Sequence, residues 1–490
     1  MADSNLAVII LAAGQGTRMK SATPKVLHAL AGRPLIGHVL FAADALEPDR
    51  VVLVVRHQRQ RVEEAARTLL SRVEIAEQGE VPGTGAAAEA GLDVLDEGFV
   101  GDVLITSGDV PLLGEDALAA FIAAHRASGA AASVLTAQIA DPTGYGRVVR
   151  TASGNLEAIV EQRDATEQQL LIDEVNSGTY LFQANDLRRA LAQVGVDNAQ
   201  NEKYLTDAIG VLVGEGRPVS AHIIDDPMLV QGINDRQQLA EVATELNRRI
   251  IRRWRLGGVT IQDAASTWID VTVELGQDVT LLPGTQLRGT TVVQDEAVIG
   301  PDTTLIDTEV GFGAEVCRTH SLSARIGENA HVGPFSYLRP GTVLGNDGKI
   351  GTFVETKNVT IGHGAKLPHL SYAGDAEIGE GSNIGAGTIF ANYDGVHKHR
   401  STVGPQVRTG AHNVFVAPVH IGAGVYSGGG TIIRKDVPAG SLVITQAPQV
   451  NKEGWVIEHR AGTAAAEAAE AALHGEQDAE QSNGRISGNE

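Results

Sequence analysis

Large rings are scarce in this chain of 490 residues, with aromatics at 4%, so its cores cannot be built around them. Valine, isoleucine and 57 glycines are plentiful instead, which points to cores of small and β-branched side chains. A single cysteine, Cys317, excludes an internal disulfide and fits a reducing compartment. Positive charge is also short. Against 60 acidic residues stand 39 Lys and Arg, and the net charge of −21 repels a polyanion on average, which excludes a general nucleic-acid binder. No apolar run reaches the roughly 18 residues of a bilayer span, and no basic leader with an apolar core precedes the first strand. The expectation is a cytoplasmic protein without a membrane partner.

What is present falls into two styles. Residues 1–234 alternate short apolar runs, such as Val51 to Val55 and Val103 to Ile105, with segments of helical spacing, such as Arg61 to Leu70 and Ala117 to Ala127. That alternation predicts a Rossmann-like α/β domain with a mostly parallel sheet and ligands at the carboxyl ends of its strands. Residues 235–258 read as one linker helix, with Leu239, Val242, Leu246, Ile250 and Ile251 as its apolar stripe and Gly257-Gly258 as its stop. Its arginines 248, 249, 252, 253 and 255 fit a solvated face better than an anion site.

From residue 259 to 460 the period becomes six. Ile326, Val332, Leu338, Leu344, Ile350 and Thr356 keep that step, as do Val403, Thr409, Phe415, Ile421, Ser427, Ile433, Ala439 and Thr445. A fixed hexad marks a parallel β-helix, with three hexads to a triangular coil and glycines at the corners. On the order of ten coils rising ~4.8 Å each would make a prism ~50 Å long. The stretch FANYDGVHKHRS, residues 390–401, breaks the period and should loop out, where binding residues tend to sit. Residues 461–490, an acidic tail of Ala, Gly, Gln and Ser, are expected to be disordered.

Chemistry begins at LAAGQGTRMK, residues 11–20, behind a buried run. Met19 stands where a dinucleotide fingerprint needs its third glycine, and no Gly-Lys-Ser/Thr of a Walker A loop is present. What remains is a glycine pair, Gly14 and Gly16, that lets backbone N–H groups approach an anion, followed by Arg18, Lys20 and Lys25. Asp109, in the turn SGDVPL, follows a strand where a carboxylate can meet Mg²⁺ held by phosphates.

In chain order LAAGQGTRM, PKVLH, SGDVPL, GYGRVV, IVEQRDAT, VNSGTY and QGIND follow the pattern of sugar-nucleotide pyrophosphorylases. With HLSYAGDAEIG and NYDG among the hexads, the chain closely resembles a family of bifunctional bacterial enzymes. In that family N-acetylglucosamine-1-phosphate uridyltransferase is joined to glucosamine-1-phosphate acetyltransferase. The resemblance implies an α/β nucleotidyltransferase domain and a left-handed parallel β-helix of hexapeptide repeats. It implies UTP, N-acetylglucosamine 1-phosphate, glucosamine 1-phosphate and acetyl-CoA as partners, Mg²⁺ for uridylyl transfer, a homotrimer, and a product used in peptidoglycan synthesis. Leu11, Ala12, Ala13 and Gly14 would cradle the nucleotide, and Arg18 and Lys25 would neutralise phosphate. Gln78, Gly83 and Thr84 match positions that read uracil. Gly146, Glu161 and Asn176 match the acetamido-sugar pocket, and Asp109 with Asn234 matches the metal pair.

For acetyl transfer the resemblance implies His369 as catalytic base with Glu355 polarising it, and the step needs a base of this kind because the attacking amine sheds a proton. Arg339, Lys357 and Lys398 match cationic positions for the sugar phosphate. Tyr372 and Asn383 match its hydrogen-bonding positions, Asn392 and Tyr393 are substrate- or CoA-binding candidates in the excursion with Lys398, and Ala411, Gly429 and Gln446 match the surroundings of acetyl-CoA. Three residues depart from the family: Ser107 where tyrosine is frequent, Ala411 where serine is, and Gln446 where arginine is. The competing readings are a single-activity pyrophosphorylase with a regulatory β-helix, a zinc enzyme using histidines from adjacent coils, and a purely structural scaffold.

Overall fold

A computed structural model describes residues 5–445 and 449–486. The first half is built on one nine-stranded sheet. Its main strands are β1 (Leu6–Leu11), β2 (Arg50–Val55), β3 (Glu74–Glu77), β4 (Asp102–Ser107), β5 (Ala132–Gln138), β6 (Glu174–Gln183) and β7 (Val219–Ile223). They lie in the order β7-β5-β6-β4-β1-β2-β3, parallel except for β6, which runs against both of its neighbours. Alternate residues of β1 enter opposite cores: Ala7 and Ile9 pack on one face, Leu6, Val8 and Ile10 on the other. Burial on both faces is why these strands are continuous apolar runs and not alternating ones.

The helix Arg236–Leu256 joins the halves, with the Asp235 carboxylate accepting from the Gln238 N–H at its start. Val242 packs with Leu30, Leu35, Leu112 and Ile233 of the α/β domain. Two turns later Ile250 and Ile251 close the lower end of the β-helix core. Asn247 between them is buried. Its amide donates to the Thr267 carbonyl at 2.8 Å and its oxygen accepts from the Ile269 N–H at 3.2 Å, clamping the helix to the first coil. The arginines pair within the helix and with both flanks: Arg248 and Arg249 pair with Glu245, Arg249 also with Asp226, and Arg255 donates to the Ile261 carbonyl of the first coil.

Beyond it the chain winds as a left-handed parallel β-helix. Leu275 lies beside Val293, and Leu281 beside Ile299, a step of eighteen residues. The run from Ile326 to Thr356 is buried throughout. Glycines turn corners as expected, Gly313, Gly364 and Gly424 among them, but they share that task with other residues. Many left-handed corners are non-glycine, among them Phe335, Phe353 and Leu370. Glycines such as Gly345 and Gly362 instead admit the next coil: a Cβ there would lie 2.8 Å from His363 N and 2.7 Å from Glu380 N.

Two expectations need correction. The count of six fails after Ile433, because the next inward residue is Val437, which pairs with Ile421, while Ala439 and Thr445 are exposed. The corner Arg434-Lys435-Asp436 is two residues short, so the register slips. Of the tail expected to be disordered, Ala464–Ile486 forms a helix, and residues 487–490 lie outside the described residues. Its low hydropathy concealed a run of alanine and glutamate, which have high helix propensity. Phe390 pairs with Phe415 across the excursion, which emerges as an exposed hairpin closed by a Tyr393–Lys398 bridge.

Candidate functional site

At the carboxyl ends of β1 and β4 lies a cleft of about 420 Å³. The candidate residues Leu11, Ala12, Ala13, Gly14, Lys25, Gln78, Gly83, Thr84 and Asp109 line it, together with the departing Ser107 and with Arg56, His57 and Glu202, which sequence reasoning missed. A Cβ on Gly14 would meet nothing within 4 Å, so the loop opens onto free space, while Gly16 needs its φ of 63° and sits against Lys25. Arg18 is exposed and is not among the residues that line the cleft.

Lys25, Asp109 and Asn234, far apart in sequence, meet here. The Lys25 ammonium pairs with the Asp109 carboxylate and donates to Asn234 Oδ1 at 3.2 Å. The Ile233 N–H donates to the Asp109 carbonyl at 3.0 Å, which fixes the loop carrying Asn234. Tyr145 adds to this group. Burial and the Asp109 charge raise its phenol above the ordinary tyrosine value, against the bond from Gly232. Its motif, GYGRVV, points to Gly146 alone.

Gln78 is buried, and its amide donates to the carbonyls of Val81 and Gly83 at 2.9 and 3.1 Å. These bonds use its donors and leave its oxygen as an acceptor for a ring N–H. Gly83, at φ 113°, passes close to the Lys203 backbone, and Thr84 Oγ1 accepts from the Leu205 N–H at 3.1 Å. Gly146, Glu161 and Asn176 converge: a Cβ on Gly146 would lie 3.5 Å from Glu161 Oε2 and 3.6 Å from Asn176 Cβ. Burial first, then the charges of Asp207, Asp164 and Glu202, push the Glu161 carboxyl above its ordinary range, despite the bond from Thr206.

On the β-helix, His369 ends the strand Lys366–His369 and is exposed at a corner. The expected contact with Glu355 is not formed: Glu355 pairs with Arg339 at 2.8 Å, and no side-chain bond to the imidazole occurs among the described residues. Register explains this, because the coil partner of Glu355 is Tyr372, and that of His369 is Thr352. Lys357 and Lys398 face one another, and contact with Lys398, followed by its charge, holds Lys357 below the ordinary lysine value. Burial would raise Asp375, but bonds from Asn358 and Asn392 and the charges of Lys398 and Lys357 keep it below the ordinary carboxylate range. Gly374 lets Tyr372 cross the strand beside Asn392: a Cβ would lie 2.7 Å from Tyr372 Cζ and 2.8 Å from Asn392 Nδ2. Gly374 and Asp375 lie within HLSYAGDAEIG, where the motif alone assigns a role to His369 and Tyr372 only. Asn383 lies elsewhere, bridged between Lys366 and Arg408 on another face of the prism. Ala411 and Gly429 meet on consecutive coils, a Cβ on Gly429 falling 3.6 Å from the Ala411 carbonyl oxygen. Gln446 lies outside the described residues. A larger cavity, about 600 Å³, lies between the junction helix and the first coil, but it is walled by Ile251, Leu256 and Trp268 and gathers none of these groups.

Residues 8–199 match the family described as the MobA-like NTP transferase domain. Over 466 residues the chain is 58% identical to the bifunctional protein GlmU of Kineococcus radiotolerans, covering 95% of each chain. It is 59% identical over 470 residues to that of Leifsonia xyli subsp. xyli, covering 96% of this chain and 97% of the relative. With that of Mycolicibacterium gilvum it shares 56% over 472 residues, 96% of this chain and 95% of the relative. Identity of this depth runs through both the cleft and the coils, and the chain belongs to the family of the bifunctional protein GlmU, enzymes that join a uridyltransferase to an acetyltransferase in UDP-N-acetylglucosamine synthesis.

Proposed function

We propose that the α/β cleft transfers uridylyl from UTP to N-acetylglucosamine 1-phosphate, and that the coils around His369 acetylate glucosamine 1-phosphate from acetyl-CoA. In the cleft, Gln78 and the backbone at Gly83 and Thr84 bind the base, and Gly146, Glu161 and Asn176 hold the acetamido sugar. The sugar phosphate oxygen attacks the α-phosphorus of UTP and pyrophosphate leaves. Such transfer asks for positioning and charge neutralisation more than for a covalent intermediate. Lys25 and Arg18 supply cationic charge to the phosphates. The donor set fits Mg²⁺: Asp109 and Asn234 direct one charged and one neutral oxygen at a single cationic atom, and hard cations take oxygen ligands completed by phosphate and water. When bound, that ion neutralises charge on the reacting phosphates.

The observation that carries the second assignment is the opposed pair Lys357 and Lys398, with Arg339 adding like charge. Cations held together are relieved by a dianionic phosphate between them, and a sugar 1-phosphate brings one. His369 accepts the proton as the amine attacks the thioester, then returns it to the departing thiolate. We place the complete site between subunits of a trimer. Supporting this, Phe335, Phe353 and Leu370 are 51%, 58% and 59% exposed on one corner, apolar area that asks for a partner, and Asn383 sits on a different face from Tyr372. Among the described residues no helix is long and apolar enough to cross a membrane, and we assign the enzyme to the cytoplasm.

Separate assays of the two half-reactions test the division. His369→Ala should abolish acetyl transfer, by about 10²-fold or more, and leave uridylyl transfer intact. Asp109→Asn should do the reverse. Loss of both activities in either folded variant would overturn it.

A further inference from the structure

We infer that Lys25 holds the metal position before substrate arrives, so that the divalent cation and the phosphate must enter the cleft together. This rests on the assignment of Asp109 and Asn234 to the metal. Asp109 Oδ2 and Asn234 Oδ1 are both engaged by one atom, the Lys25 Nζ. Lys25 and Asp109 are each 13% exposed, so the pair is largely shielded from water and is not a loosely solvated surface contact. An ammonium and a divalent cation cannot share those oxygens, because like charges a few ångströms apart in a shielded cleft repel strongly.

The surrounding geometry determines what can move. The backbone of Lys25 is held in the short turn Lys25–Leu27 behind Pro24, and Gly16 packs so closely that a Cβ on it would lie 2.6 Å from Lys25 Cβ. Asp109 is tied through its carbonyl to Ile233, so neither anchor shifts readily. Only the outer methylenes of Lys25 are free to swing, within a cleft that also contains the open space over Gly14. A phosphate entering that space draws the ammonium away and exposes two oxygens to the metal, while the cleft exchanges one cation for another. Metal and phosphate affinities are then coupled, and by linkage each strengthens the other.

Manganese titration of the full-length protein without nucleotide, read by electron paramagnetic resonance, tests this. Lys25→Met keeps the bulk and removes the ammonium, and should bind Mn²⁺ about ten-fold tighter than wild type, within the usual range of site coupling. Arg56→Met removes a cation that lines the same cleft without touching Asp109, and should gain at most about three-fold from long-range charge alone. Equal Mn²⁺ affinity in wild type and Lys25→Met, including no binding by either, overturns the inference, as does an equal gain in Arg56→Met. Adding Asp109→Asn to Lys25→Met should erase the gain. A gain that survives it would sink the metal assignment itself, and the place-holder with it.

Discussion

Glu161 accepts from Thr206 Oγ1 at 3.4 Å and shares its surroundings with Asp164, Glu202 and Asp207. Its carboxyl is raised by burial, so ionising it costs more in the folded than in the unfolded protein. The contribution of this group is therefore fully present below the ordinary glutamate pKa and is lost as pH rises through the elevated folded value. Glu161→Gln removes that loss, and thermal unfolding should show a variant more stable than wild type near about pH 8, with the gap closing toward about pH 4. The same variant should bind the acetamido sugar less tightly in a uridylyl-transfer assay, a trade of stability for function. An unchanged melting temperature at the higher pH would mean that the pocket carries no such penalty. Gly146, Glu161 and Asn176 were legible as a group because each lies in a recognisable short motif. The Glu355–Arg339 pair was not, since which of two coil neighbours a carboxylate meets is set by register and side-chain reach, and sequence spacing of six residues defines neither.

The junction helix and the coils show how elements constrain one another. Asn247 satisfies the Thr267 carbonyl and the Ile269 N–H together, and both are buried under the helix. Asn247→Leu leaves them unpaired and should cost about 1–3 kcal/mol, read as a lower midpoint in denaturant unfolding of the β-helix. Arg252→Ala, on the same helix, should change it by less than about 0.5 kcal/mol. A second test at this scale concerns stacking: Gly362→Ala drives a Cβ to within 2.7 Å of Glu380 N, and that backbone can yield only by separating two coils. The β-helix was legible because its core repeats every six residues, so a missing side chain at one hexad is outvoted by the others. Its exceptions were not legible, because the shortened corner before Val437 alters register without altering composition. Which glycines turn corners and which admit the next coil was not legible either, because a residue chosen for lack of a side chain and one chosen for its backbone angle look the same in sequence.

Across the whole molecule, histidines divide by half. Among the described residues, those held below their ordinary value are His28, His38, His125 and His222, all in the α/β domain. Burial is the main cause in each, joined by Arg236 at His28 and Arg33 at His38, and opposed at His125 by Asp102. The β-helix carries its histidines at the surface, apart from the half-buried His399. Above the ordinary value of 6.5 both folded and unfolded α/β domain keep these rings neutral. As pH falls below it the unfolded chain takes up protons that the folded domain refuses, so stability is lost until the lowered folded values are passed. His38 Nε2 lies 2.8 Å from the Leu30 carbonyl, in the short antiparallel pair Ala29–Leu30 and Arg33–Pro34, whose connecting Ala31 carbonyl accepts from the Val271 N–H of the first coil, so the loss reaches the contact between halves. Calorimetry from about pH 7.5 to about pH 5.5 should therefore separate two unfolding transitions, the α/β domain falling further than the β-helix. His125→Gln combined with His38→Gln should narrow that difference. If both halves lost stability in parallel and the double variant behaved as wild type, the acid sensitivity would not reside in these imidazoles.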